Sequence, residues 1–127
     1  MMEKIMLCPG RVRRITGTFG FIEHSFLKEG FFHSLTHHEL LLYLFLVLAA
    51  DRDGLSFYGY DRICTFLKIT VDEYILARDG LIEKDLLAFD GRTFQLLSLP
   101  ASGPKSSPVK DPANIRQLIN RSLGGKT

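Results

Sequence analysis

Residues 67–87 read LKITVDEYILARDGLIEKDLL, and the order of breaker, cap and apolar positions in this stretch decides the fold. Ile63, Phe66 and Leu67 lie at helical spacing within Tyr60 to Leu67, and Lys68-Ile69 interrupts them. Thr70-Val71-Asp72-Glu73 then supplies an S/T-x-x-E capping box, in which the Thr and Glu side chains each satisfy an orphan backbone donor of the next helix. At about 100° per residue, Val71, Tyr74, Ile75, Leu81 and Ile82 cluster on one face, the predicted core face. The opposite face carries Asp72, Glu73, Leu76, Asp79, Gly80 and Glu83, with Lys84 in the last turn. Arg78 projects toward the apolar side, where stacking on Tyr74 or pairing with Asp61 is expected.

Working outward, Leu86 to Phe89 and Thr93 to Leu99 flank Asp90-Gly91-Arg92, and a D-G pair between two apolar runs signals a β-hairpin. Upstream, Asp51-Arg52-Asp53-Gly54 is a turn signature followed by the β-prone Leu55-Ser56-Phe57-Tyr58. Before that turn, Thr36-His37-His38-Glu39 is another capping box, opening a helix expected from about His37 to Asp51. Leu40 to Ala50 is apolar all round, so every side of this helix needs cover. A homodimer through residues 37–51 would supply it. So would the N-terminal segment, if Phe19, Phe21, Ile22, Phe26, Phe31 and Phe32 fold over the outer face.

The order helix, short strand, helix, helix, hairpin resembles the winged helix-turn-helix family, most closely over residues 67–87. Leu67, Ile69, Thr70, Leu81 and Leu86-Leu87 occupy that family's apolar and turn positions, and Asp85 stands where the family usually has Gly. Asp tolerates the left-handed conformation better than most residues. The long apolar helix, the D-x-D-G turn and LSFY also resemble the winged helices of plasmid replication initiators and of small mobile-element proteins. The resemblance implies a mainly α fold with a small, two-stranded β wing, an α+β class, over residues 35–99. It also implies a DNA-associated regulator or a replication or mobile-element accessory factor, with duplex DNA as partner.

Composition agrees with one folded unit. A chain of 127 residues that is 46% hydrophobic can bury one core and is not disordered throughout. Its longest apolar run falls well short of the roughly 20 residues of a membrane span, so no membrane association is expected. Two cysteines without metal-type spacing, and an N-terminus without a secretory pattern, predict reduced thiols in a cytoplasmic protein. The predicted organisation is a basic, Phe-rich segment at 1–34, the folded unit at 35–99, a Pro/Ser/Gly-rich linker at 100–111 and a short basic helix or tail at 112–127. In that last piece Asp111 is a good N-cap, Pro112 fits the first helical position, and Ile115, Leu118 and Ile119 share a face.

Charge qualifies the functional expectation. Residues 1–14 carry four bases against one acid and residues 100–127 five against one, whereas residues 15–99 carry seven bases against twelve acids. DNA affinity comes chiefly from Lys and Arg neutralising phosphates, and the second helix of the motif presents carboxylates instead. DNA contact is therefore expected from the edges: Arg62, Lys68, Thr70 and Arg92, with Arg11, Arg13 and Arg14 of the basic arm, which otherwise serve only solubility. The alternative is a protein-interaction module, in which Asp72, Glu73, Leu76 and Asp79 receive a basic partner without DNA binding. No Walker-type loop, nucleophile elbow or paired-carboxylate motif is present, so neither enzyme activity nor a cofactor is expected. His24, His33, His37 and His38 crowd one region but lack a ligand spacing, and are assigned capping and surface roles rather than a metal site.

Overall fold

The computed structural model describes residues 4–104. After a 3-10 turn at Pro9–Arg11, the order is α1 (Ser25–Lys28), α2 (Phe31–Ser34), α3 (His37–Ala49), β1 (Leu55–Ser56), α4 (Tyr60–Leu67), α5 (Val71–Glu83), β2 (Leu87–Phe89) and β3 (Phe94–Leu96). The chain is thus α+β. The helix expected at 112–123, and the linker beyond Pro104, lie outside the described residues.

Both capping boxes form. In α3 the Glu39 backbone N–H donates to Thr36 Oγ1 at 3.2 Å while the Thr36 N–H donates to Glu39 Oε1 at 2.9 Å. In α5 the Glu73 N–H donates to Thr70 Oγ1 at 3.1 Å and the Thr70 N–H to Glu73 Oε1 at 2.9 Å. The break between α4 and α5 has a backbone cause: Lys68 is left-handed, with φ of 59°, and its N–H returns to the Cys64 carbonyl. Asp85 adopts the left-handed turn expected of it, with φ of 64°. Asp51 orders the next turn, its Oδ1 accepting from the N–H groups of Asp53 and Leu55, and Gly54 supplies φ of 84°.

The short strand expected after the Asp51–Gly54 turn joins the two strands of the expected hairpin, so the sheet has three. Its order is β1-β3-β2, all antiparallel, with Leu55 opposite Gln95, Ser56 opposite Phe94, and Phe89 also opposite Phe94. β1 is only two residues long, yet it covers the outer edge of β3 and carries the chain from α3 into α4.

The main correction concerns which face of α5 is buried. Tyr74, Ala77, Gly80, Leu81 and Lys84 are buried, whereas Val71, Ile75 and Ile82, expected in the core, are exposed. Bulky aliphatic side chains pull a pattern reading toward themselves, but α3 approaches α5 along its small residues. A Cβ on Gly80 would collide with the Glu39 carboxylate. Beside it the Lys84 ammonium donates to Glu39 Oε1 at 2.5 Å and to the Ser34 carbonyl at 2.8 Å. Lys84 is 3% exposed and Glu39 1%, so this ion pair is fully inside the protein. Gly80 and Lys84 therefore belong to the core side and not to the surface predicted for them.

Around that pair the core gathers Leu42, Leu46, Ile63, Leu81, Leu86 and Phe94. The N-terminal segment covers one flank of α3. Phe26 stacks on Tyr43 with ring centroids 4.9 Å apart, Phe31 is fully buried, and Gly20 lies so close to Val47 that a Cβ there would collide with its carbonyl. Phe19, Phe21 and Phe32, expected in the core, are exposed. Leu41, Leu44 and Leu48 also remain exposed along α3, so among the described residues the cover of this helix is incomplete.

Gly80→Ala should destabilise the protein by about 2 kcal/mol, although Ala gains about 1 kcal/mol in helix propensity, because the new methyl group displaces a buried, doubly bonded carboxylate. Urea denaturation measures this. A variant as stable as wild type would show that α3 and α5 are not in close contact at this point.

Candidate functional site

The β2–β3 hairpin, the β1–α4 connection and the first half of α5 enclose an open groove of about 680 Å³. Phe57, Tyr58, Tyr60, Tyr74 and Phe89 give it aromatic walls, and Arg78 and Arg92 line it as well. Each member is placed by a local rule. Gly59 is the N-cap of α4, so Tyr60 begins the helix and Phe57 and Tyr58 precede it in extended chain. Arg92 sits in the hairpin turn, where Gly91 has φ of 100° and Asp90 Oδ1 accepts from the N–H groups of Thr93 at 2.8 Å and Arg92 at 2.9 Å. The same two donors, Thr93 first, hold the Asp90 carboxyl below its ordinary range.

The arginines differ in how they are held. Arg78 is fixed inside the groove: its guanidinium lies 5.6 Å from the Tyr74 ring centroid and 5.3 Å from that of Phe89, and it pairs with Asp79 Oδ1 at 3.0 Å. The partner is Asp79 rather than Asp61, while the stacking on Tyr74 is as expected. Arg62 lies over the Tyr58 ring at 5.0 Å, and Tyr58 in turn packs edge-on against Phe45 and Phe66. Tyr58 thus joins Arg62 to the groove that Arg92 lines.

Of the residues singled out for DNA contact, Arg11, Arg13, Arg14, Arg62, Lys68, Thr70 and Arg92 are all exposed. Among the described residues none of these cations takes part in an ion pair. Arg92 lines the groove itself, whereas Arg62 lies outside its lining and meets it only through the Tyr58 ring. Lys68 is held by the helix end it terminates, and the Thr70 hydroxyl accepts the cap bond of α5. Of the residues singled out for a protein partner, Asp72 and Leu76 are exposed, Leu76 at 72%. Glu73 is committed to its cap and lies 3.8 Å from His38 Nε2, while Asp79 is neutralised by Arg78. Sequence reasoning missed Phe57, Tyr60 and Phe89 as one surface. The run Phe57-Tyr58-Gly59-Tyr60, three aromatics around a glycine at a helix start, was the available signal.

His24, His33 and His37 are exposed, and among the described residues no group of three His, Cys, Asp or Glu side chains gathers to hold a metal ion. Both cysteines are free thiols; burial, then Asp61, pushes the Cys64 thiol up, which disfavours the reactive thiolate. Among the described residues no helix is long and apolar enough to cross a membrane. No protein-family model matches the sequence, and neither a curated protein nor a solved structure matches the chain.

Two carboxylates link this region to pH. The Thr70 N–H lowers the Glu73 carboxyl, as the hairpin N–H groups lower that of Asp90. A group depressed in the folded state stabilises above its unfolded pKa and loses that contribution as pH falls through the folded value. Stability should therefore decline in the acid range below about pH 4. Glu73→Gln and Asp90→Asn should each make that decline shallower in urea midpoints measured across pH. Curves parallel to wild type would remove both groups from the acid response.

Proposed function

We propose that this is a DNA-associated protein of winged-helix type, which holds the duplex backbone through its edges and does not read bases with α5. The β2–β3 hairpin is the wing, α4 and α5 the helix-turn-helix pair. Supporting the fold reading are the left-handed Lys68 turn, the capping box at Thr70 and the hairpin packed beside α5. The functional reading rests on one observation: Arg92, exposed and outside any described ion pair, lines an aromatic groove whose Phe57 and Tyr60 are also exposed, and the equally exposed Arg62 stacks on Tyr58 of its wall. Arg side chains and tyrosine hydroxyls are common phosphate contacts, and such contacts orient a protein on DNA without specifying sequence. Arg11, Arg13 and Arg14 would extend the contact along the backbone, and Lys68 and Thr70 would border it. Because residues 15–99 carry an excess of five acids, binding of this kind is local and strongly salt-dependent.

Fluorescence anisotropy with random-sequence duplex at several salt concentrations tests the reading. Wild type should bind at low salt. The variant Arg62→Ala/Arg92→Ala should lose about 1.8 from the slope of log K against log salt, roughly 0.9 for each phosphate contact removed. Equal slopes, or no binding by wild type at low salt, would overturn the proposal.

A second reading has its own observation. Val71, Ile75, Leu76 and Ile82 are all exposed on α5, and Asp72 and Glu83 lie among them. An apolar helix surface bordered by carboxylates fits a partner protein presenting an apolar side chain ringed by bases. On this reading Leu76→Asp abolishes binding to a basic peptide array while Arg62→Ala/Arg92→Ala leaves it intact. Peptide binding that survives Leu76→Asp would remove this second reading.

A further inference from the structure

Helix α3 carries no charged residue after Glu39, and Glu39 is buried, so beyond His38 the face it turns outward is entirely apolar. Leu41, Leu44 and Leu48 share one side of the helix and are 41%, 48% and 72% exposed. Leu27 of α1 and Phe32 of α2, 67% and 49% exposed, continue this surface across an open groove of about 1000 Å³ between α1, α2 and α3. Together the five side chains leave roughly 600 Å² bare, at the upper end of what a monomer ordinarily exposes in one apolar patch. Two such surfaces set face to face would bury about 1,200 Å², where stable interfaces begin, before any polar rim is counted.

The charges at the border of this face suit a second copy of the same chain. Glu23 and Lys28 both line the groove and both are exposed, one acid and one base, with His24 and His37 beside them. A surface that carries one charge of each sign is complementary to itself once a twofold axis reverses it. The direction of the chain places the two charges for that reversal. Gly20 packs on Val47 and Phe26 stacks on Tyr43, so the N-terminal segment runs antiparallel to α3. Glu23 also borders the cleft formed with Val47 and Ala50 at the end of α3, whereas Lys28 closes α1 and leads through Gly30 and α2 to the start of α3. Two α3 helices crossing antiparallel therefore bring each Glu23 toward the other chain's Lys28.

We propose that two copies of this protein pair through the Leu41, Leu44 and Leu48 face, with their α3 helices antiparallel about a twofold axis that passes near Leu44. An apolar centre excluding water and a rim of reciprocal Glu23–Lys28 contacts is the ordinary anatomy of such an interface. The face shares no lining residue with the aromatic groove, so the pairing does not rest on the DNA-associated reading.

Sedimentation velocity on the full-length protein, from low micromolar to near-millimolar concentration, should show a monomer passing into a dimer and nothing larger, as a closed twofold requires. Leu44→Asp, at a half-exposed position, should raise the dissociation constant at least about a hundredfold, because symmetry places it twice in the interface, with circular dichroism unchanged. Glu23→Lys should weaken the dimer several-fold at low salt, and Glu23→Lys/Lys28→Glu should restore it. A single-chain mass across the whole range would overturn the proposal, because the face would then be covered by another part of the chain or by a different protein. So would a dimer that tolerates Leu44→Asp, whose interface would lie elsewhere. A loss in Glu23→Lys that the double reversal fails to restore would overturn the antiparallel arrangement and the proposal with it.

Discussion

The domain depends on an ion pair that water does not reach. Glu39, the third residue of α3, and Lys84, at the end of α5, meet in the core, and Gly80 leaves the space that lets the two helices close over them. Burying two charges is costly, and only good geometry with further hydrogen bonds offsets it. Here Glu39 also accepts the Thr36 N–H that starts α3, and Lys84 also donates to the Ser34 carbonyl at the end of α2. One cluster therefore ties together the end of α2, the start of α3 and the end of α5. It fixes how α5 is rotated, and that rotation decides which residues the surface receives.

With Tyr74, Ala77 and Leu81 turned inward, the aliphatic residues Val71, Ile75, Leu76 and Ile82 face outward, and Arg78 meets the hairpin instead of solvent. Lys84 is lost to the exterior, which leaves the half-buried Arg78, already paired with Asp79, as the base α5 presents. Several carboxylates are meanwhile occupied in holding the backbone: Asp51 and Asp90 in turns, Glu73 at a helix start. The exposed cations outside ion pairs lie at the borders of the domain, and this division of charge is why the proposed DNA contact is made by edges.

Much of the element order was legible. Capping boxes, the D-G turn and the left-handed Asp85 are local chemistry, in which a few neighbouring residues determine the backbone, and each occurs where the sequence indicated it. The rotation of α5 was not legible, because it depends on a contact between residues 45 positions apart. A glutamate in a capping box and a lysine in a last turn both carry ordinary local explanations, and neither announces burial. The phenylalanines of the N-terminal segment failed for a related reason. Phe26 and Phe31 find ring partners in the core, whereas Phe19 and Phe21 match them in composition and differ only in position. The aromatic groove was hidden because its walls come from three separated stretches of chain.

The most direct measurement is a double-mutant cycle on the buried pair, with Glu39→Gln, Lys84→Met and the two combined, followed by chemical denaturation. If the pair holds α3 to α5, each single change leaves a buried polar group without its partner, and the double change costs much less than the sum, with a coupling of at least about 2 kcal/mol. Additivity within about 0.5 kcal/mol would contradict the account, because the two side chains would then contribute independently and the rotation of α5 would need another cause.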